Sequence, residues 1–169
     1  AFVGAKVGGG FAWEVLARIR DAWQGPLLVK GVLHPLDAER ARAIGLDGVI
    51  VSNHGGRQFD AAPASIDMLP AILGSIGRDM TVILDSGVTA GVDIMRAMAC
   101  GAHFTFAARA FMLALAALGE HGARHMAATF IEEFTTALGQ TGIRSTAEIA
   151  TAAVRHPTAW PWSGEGRKE

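Results

Sequence analysis

A hydroxyl, an imidazole and a guanidinium are gathered in the stretch Ser52-Asn53-His54-Gly55-Gly56-Arg57-Gln58, directly after the apolar run Gly48-Val49-Ile50-Val51. Histidine takes and releases a proton near neutral pH and is the commonest general base. Three residues on, the planar fork of Arg57 can grip a carboxylate through two parallel hydrogen bonds. Gly55 and Gly56 permit a backbone turn closed to other residues and leave room for a ligand. Together these residues predict proton abstraction from a small carboxylic acid. Taken alone they fit a solvated loop with a capping histidine and a surface arginine equally well. The elements around them carry the decision.

Those elements repeat a strand-helix unit. Apolar residues at helical spacing (Phe11, Val15, Leu16, Ile19, Trp23) predict a helix from Phe11 to Trp23, stopped by Gly25-Pro26. Leu27 to Val32 reads as a strand with Lys30 near its far end. Pro35 to Ile44 is a helix opened by proline and closed by Gly45. The next strand is Gly48 to Ser52, followed by a helix from about Pro63 to Leu73. Thr81 to Asp85 is a third strand, and a helix from Ala90 to Cys100 ends at Gly101. His103 to Ala108 is a fourth strand with Arg109 at its C-terminal end. A longer helical region runs from Ala110 to about Leu138, interrupted near Gly119 to Gly122.

Continuous apolar strands alternating with helices predict a parallel sheet covered on both faces. Polar residues gather where the strands end: Lys30, Ser52 to Arg57, Asp85-Ser86 and Arg109. Strands contributing jointly to one rim predict a (β/α)8 barrel, whose chemistry lies at the C-terminal face. A doubly wound sheet fits less well. It concentrates a glycine-rich phosphate loop after its first strand, whereas Gly8-Gly9-Gly10 follows no convincing strand.

With 169 residues, half of them hydrophobic, the chain can bury the core of one domain. Its formal charge of −1 gives no electrostatic footprint for nucleic acid or an anionic membrane. No apolar run nears the roughly 18–20 residues that span a bilayer, so a soluble protein is expected. The lone Cys100 excludes an internal disulfide and a cysteine-based metal cluster. It also fits a reducing, cytoplasmic location. No paired histidines and carboxylates suggest a metal site. Residues 1–10 carry neither an initiating methionine nor a secretory signal pattern. They are expected to be an irregular segment, and the tail 158–169 a flexible one.

At Leu-Val-Lys-Gly-Val-Leu-His-Pro, Val-Ser-Asn-His-Gly-Gly-Arg-Gln and Leu-Asp-Ser-Gly-Val, with an arginine after the last strand, the chain resembles the FMN-dependent α-hydroxy-acid dehydrogenases and oxidases. That family includes L-lactate dehydrogenase, glycolate oxidase and mandelate dehydrogenase. The resemblance implies that residues 11–157 form the C-terminal half of a TIM barrel, strands five to eight. It implies FMN as cofactor and oxidation of a small (S)-2-hydroxy acid, such as L-lactate, to a 2-keto acid. His54 would remove the substrate's α-proton, or its hydroxyl proton if hydride moves directly, and Arg57 would hold the carboxylate. Lys30 would sit beside the flavin N1 and C2 carbonyl, where a fixed ammonium stabilises charge gained on reduction. Ser52 would hydrogen-bond the cofactor. Asp85, Ser86, Gly87, Val88 and Thr89, with Ala108 and Arg109, would form its phosphate end.

Three departures from the family stand out. Thr89 replaces an arginine that helps to bind the FMN phosphate. Ala108 replaces a glycine, which matters if that backbone needs a positive φ. Strands one to four are missing, with the family's tyrosines (the chain contains none) and the carboxylate that orients the histidine. A half-barrel leaves unpaired strand edges and an exposed apolar face. It is therefore expected to meet the missing half of the barrel or another copy of the chain, in a homo-oligomer. The alternative is a truncated or degenerate flavin barrel without catalysis, acting as a structural, assembling piece.

Overall fold

The computed structural model describes residues 12–77 and 79–150. The expected irregular start at 1–10 and flexible tail at 158–169 lie outside the described residues. Four strands, β1 (Leu28–Val32), β2 (Gly48–Val51), β3 (Thr81–Asp85) and β4 (Phe104–Phe106), alternate with helices α1 (Trp13–Ala22), α2 (Pro35–Ile44), α3 (Ser65–Ile76), α4 (Gly91–Ala99), α5 (Arg109–Leu118) and α6 (Gly122–Thr141). The strands lie side by side in the order β1-β2-β3-β4, and every pair is parallel. The order has no reversal point, the feature on which a doubly wound sheet builds its ligand crevice.

The local chemistry explains most boundaries. Pro35 opens α2 behind His34, whose Nδ1 accepts the Leu36 amide at 3.2 Å. Gly45 closes it in the left-handed conformation, φ +85°. Residues 54–64, between β2 and α3, are claimed by the loop that carries His54. Asn53 donates its amide to Ser65 Oγ and its side-chain nitrogen to the Pro63 carbonyl. The helix therefore starts at Ser65, two residues after the proline expected to open it. Strand β4 is also shorter than expected. His103 pairs with Val82 through both its backbone amide and its Nδ1, while Ala107 and Ala108 turn away to feed α5.

The core lies between the sheet and α2, α3, α4 and α6. Val49, Val51, Val82, Leu69, Ile72 and Ile76 are fully buried. As the interior strands, β2 and β3 are buried along almost their whole length, whereas β1 and β4 at the edges are partly exposed. The first part of the helical region expected from Ala110 forms α5, but no residue in that helix is buried among the described residues. Leu113 is 70% exposed and Met112 63%.

One irregularity bears on function. Between Lys30 and Val32, β1 advances two residues while β2 advances one, from Ile50 to Val51. The extra residue is Gly31, at φ +99°. Bulges of this kind redirect the side chains beside them, and this one follows Lys30 directly.

Candidate functional site

The C-terminal ends of all four strands contribute to one open cleft of about 290 Å³. Its lining includes every residue expected at the site except Ser52: Lys30 from β1, His54 and Arg57 after β2, Asp85 to Thr89 from β3, and Ala108 with Arg109 after β4. Ser52 lies beneath the lining, 2% exposed. The parallel order makes this convergence unavoidable, because every strand points its C-terminus to the same side. Gly55, Phe106, Ala107 and Met112 also line the cleft. The position of Phe106 at the end of β4 was a usable signal for it. Met112, one turn into α5, shows none in the sequence.

A polar cluster forms the floor. Lys30 Nζ donates to Asp85 Oδ2 at 2.7 Å and to Ser52 Oγ at 3.0 Å. Ser52 donates to the same carboxylate oxygen at 2.5 Å and accepts the His54 amide at 3.1 Å. A serine hydroxyl has one hydrogen and two lone pairs, so these partners fill it. A bond from Ser52 to a cofactor would displace one of them. Burial alone would raise the Asp85 carboxyl. Hydrogen bonds from Lys30, Ser52 and Ser86, with the nearby Lys30 charge, outweigh it and hold the group below its ordinary range.

A carboxyl depressed on folding stabilises the fold above its unfolded value and loses that contribution as pH falls through its folded value. Acid unfolding should therefore deepen below about pH 4, and Asp85→Asn should flatten that limb of the stability curve. Urea midpoints measured between pH 6 and 3 check this. A variant with the wild-type slope would contradict it.

His54 stands on a short 3-10 turn, His54–Gly56, at φ +57°. Asn53 Oδ1 accepts the Gly55 amide at 2.9 Å and Arg57 Nε donates to the His54 carbonyl at 3.1 Å. These local bonds fold the turn back on itself and bring His54 and Arg57 to the same cleft. The His54 ring makes no hydrogen bond among the described residues, so its nitrogens are open to a ligand. The terminal nitrogens of Arg57 are likewise without a protein partner among them. Arg109 lies across the cleft, its guanidinium 3.7 Å from where a Cβ on Gly55 would sit, and it too has no ion-pair partner among the described residues. The cleft thus combines one neutralised cation, Lys30, with two uncompensated guanidinium groups.

Two departures noted in the sequence can be placed. Ala108 is the N-cap of α5 with φ −120°, so its Cβ meets no positive-φ penalty. Thr89 is exposed at the rim. Its amide and hydroxyl both donate to Asp93 Oδ2, at 3.0 and 3.2 Å. No group of histidine, cysteine and carboxylates able to hold a metal ion occurs among the described residues. Nor is any described helix long and apolar enough to cross a membrane.

Known proteins share this sequence and fold. A family model for FMN-dependent dehydrogenases matches residues 1–156. The chain is 46% identical over 138 residues to an L-lactate dehydrogenase of Allorhizobium ampelinum, covering 82% of this chain and 36% of the relative. It is 47% identical over 137 residues to an L-lactate dehydrogenase of Caulobacter vibrioides, again covering 81% and 36%. Among solved structures, mandelate oxidase with 3,3-difluoro-2-hydroxy-3-phenylpropionic acid superposes with a TM-score of 0.81 at 36% identity, covering 85% of this chain and 43% of that one. A mandelate oxidase structure with a monooxide FMN adduct gives 0.80, also at 36% identity, covering 84% and 45%.

The chain belongs to the FMN-dependent dehydrogenase family of flavoprotein oxidoreductases, whose cofactor is FMN. It spans a little over a third of the length of the lactate dehydrogenases it matches.

Proposed function

We propose that this chain forms the C-terminal half, strands five to eight, of an FMN-dependent TIM barrel that oxidises a small (S)-2-hydroxy acid of the L-lactate type to its 2-keto acid. One observation carries the proposal: Lys30, His54, Arg57, Asp85 and Arg109, drawn from all four strand ends, line a single cleft. The residues present fit the cofactor. The unpaired guanidinium of Arg109 and the amides at the N-terminus of α5 suit a phosphate, and Lys30 places a fixed ammonium on the floor.

FMN, when bound, supplies the two-electron acceptor. Arg57 holds the substrate carboxylate through its terminal nitrogens and so fixes the orientation of C2. Of the two protons and two electrons the substrate loses, His54 takes one proton, the imidazole becoming positively charged, and the other hydrogen would leave with the electron pair to the acceptor that FMN supplies. Lys30, itself oriented by Asp85 and Ser52, would supply a fixed ammonium to stabilise the negative charge that the cofactor gains on reduction. Asp85, Ser86, Gly87, Val88 and Thr89 with Ala108 and Arg109 would surround its phosphate end. The assay is direct: FMN-loaded protein given L-lactate should yield pyruvate, and failure with every short 2-hydroxy acid would overturn the proposal. Against the alternative of a degenerate, purely structural barrel stands Ala108, whose negative φ lets it replace glycine without backbone strain.

Thr89 remains a departure with a consequence. Thr89→Arg adds a cation at the rim and should tighten FMN binding by about tenfold, the worth of one charge-assisted bond at an exposed position. Fluorescence titration with FMN reads the change, and an unchanged dissociation constant would remove Thr89 from the phosphate end.

The cleft is at the small end of the roughly 300–1,000 Å³ typical of small-molecule sites, consistent with walls supplied from elsewhere. Phe104 on β4 is 61% exposed, and Met112 and Leu113 on α5 are exposed too. We assign this apolar surface to contact with the rest of the barrel or with another copy of the chain, in a homo-oligomer. The 169-residue chain should accordingly run as an associated species in gel filtration. A monomer with full hydrogen-exchange protection would contradict this.

A further inference from the structure

Two non-glycine residues among those described have positive φ: His54, and Ser86 at +82°. Glycine adopts that conformation freely and a side chain does not. A serine kept there needs a reason, and its hydroxyl provides one. Ser86 Oγ accepts the Gly55 amide at 3.1 Å, reaches Asp85 Oδ2 at 3.3 Å and lies 3.3 Å from Ser52 Oγ. Ser52 Oγ in turn accepts the His54 amide. Consecutive amides of the His54 turn therefore hang from two serine oxygens, and both serines are anchored on one oxygen of Asp85. Asn53 also holds the Gly55 amide, but from within the turn itself. The Ser86 bond ties that amide to the end of β3.

We propose that Ser86 is a positioning residue: its hydroxyl fixes the His54–Gly55 turn against β3 and thereby sets the direction of the His54 imidazole. The inference rests on the reading of His54 as the base. It gives Ser86 a task in addition to lining the phosphate end of the cleft. It also couples the base to Lys30, since both are held through Ser52 and Asp85.

The test compares wild type with Ser86→Gly and Ser86→Ala in the full chain. Glycine relieves the backbone strain, so Ser86→Gly should fold at least as stably as wild type. Hydrogen exchange across residues 53–57 should quicken roughly three- to tenfold in both variants, as expected for one lost hydrogen bond, with exchange in α3 unchanged. In the FMN-loaded protein kcat should fall by a similar factor. Unchanged exchange in Ser86→Gly would overturn the proposal. So would a loss of FMN affinity without any change in exchange, which would make Ser86 a cofactor contact. If the loaded protein turns over no hydroxy acid at all, the catalytic reading fails, and the exchange measurement still decides whether Ser86 holds the turn.

Discussion

His54→Gln should lower turnover of an L-2-hydroxy acid by roughly 100- to 10,000-fold, the usual contribution of a positioned general base, while FMN is retained as in wild type. Glutamine approximates the size of the imidazole and can still hydrogen-bond, but it cannot take a proton in the working pH range. The backbone features that shape the turn do not depend on the imidazole. The His54 amide bonds to Ser52 Oγ, and the ring has no bond to lose among the described residues. Steady-state rates and the flavin absorbance of the same preparation check both halves of the prediction. Turnover surviving the substitution would assign the base to another group.

Arg57→Met should raise KM for the hydroxy acid roughly 10- to 150-fold, equivalent to about 1.5–3 kcal/mol for a lost charge-assisted bond. The methionine keeps an extended apolar stem and removes only the charged fork. Nε is already committed to the His54 carbonyl, so the carboxylate would be held by the terminal nitrogens. Loss of that Nε bond can disturb the turn as well, which predicts a smaller fall in kcat alongside the larger rise in KM. Arg57→Lys should not restore KM fully, because a single ammonium cannot reproduce the planar fork. Initial rates over a range of L-lactate concentrations separate the two effects. A KM equal to that of wild type in Arg57→Met would place the substrate carboxylate elsewhere.

The strands and helices were legible because their signals are local. The apolar runs at 48–51 and 81–84 became the two interior strands, and Pro35 with Gly45 marked both ends of α2. The convergence of strand-end residues was legible for the same reason, since parallel strands share a direction. What could not be read depends on register between elements far apart in sequence. The bond from Lys30 to Asp85 spans 55 residues, and the Ser52–Asp85 bond spans 33. Neither follows from any local pattern. The left-handed conformations of His54 and Ser86 were equally hidden, because neither residue type demands one. The exposure of α5 escaped for the opposite reason. An apolar helix predicts burial, and its apolar side is left uncovered among the described residues.

The most direct measurement is the visible spectrum of the purified protein with FMN under anaerobic conditions, before and after adding L-lactate. A flavin band that remains with the protein after desalting and bleaches on addition of the hydroxy acid is the expected result. A protein that never retains flavin, or one whose retained flavin no short 2-hydroxy acid can bleach, would contradict the central claim that these four strand ends build a hydroxy-acid-oxidising site.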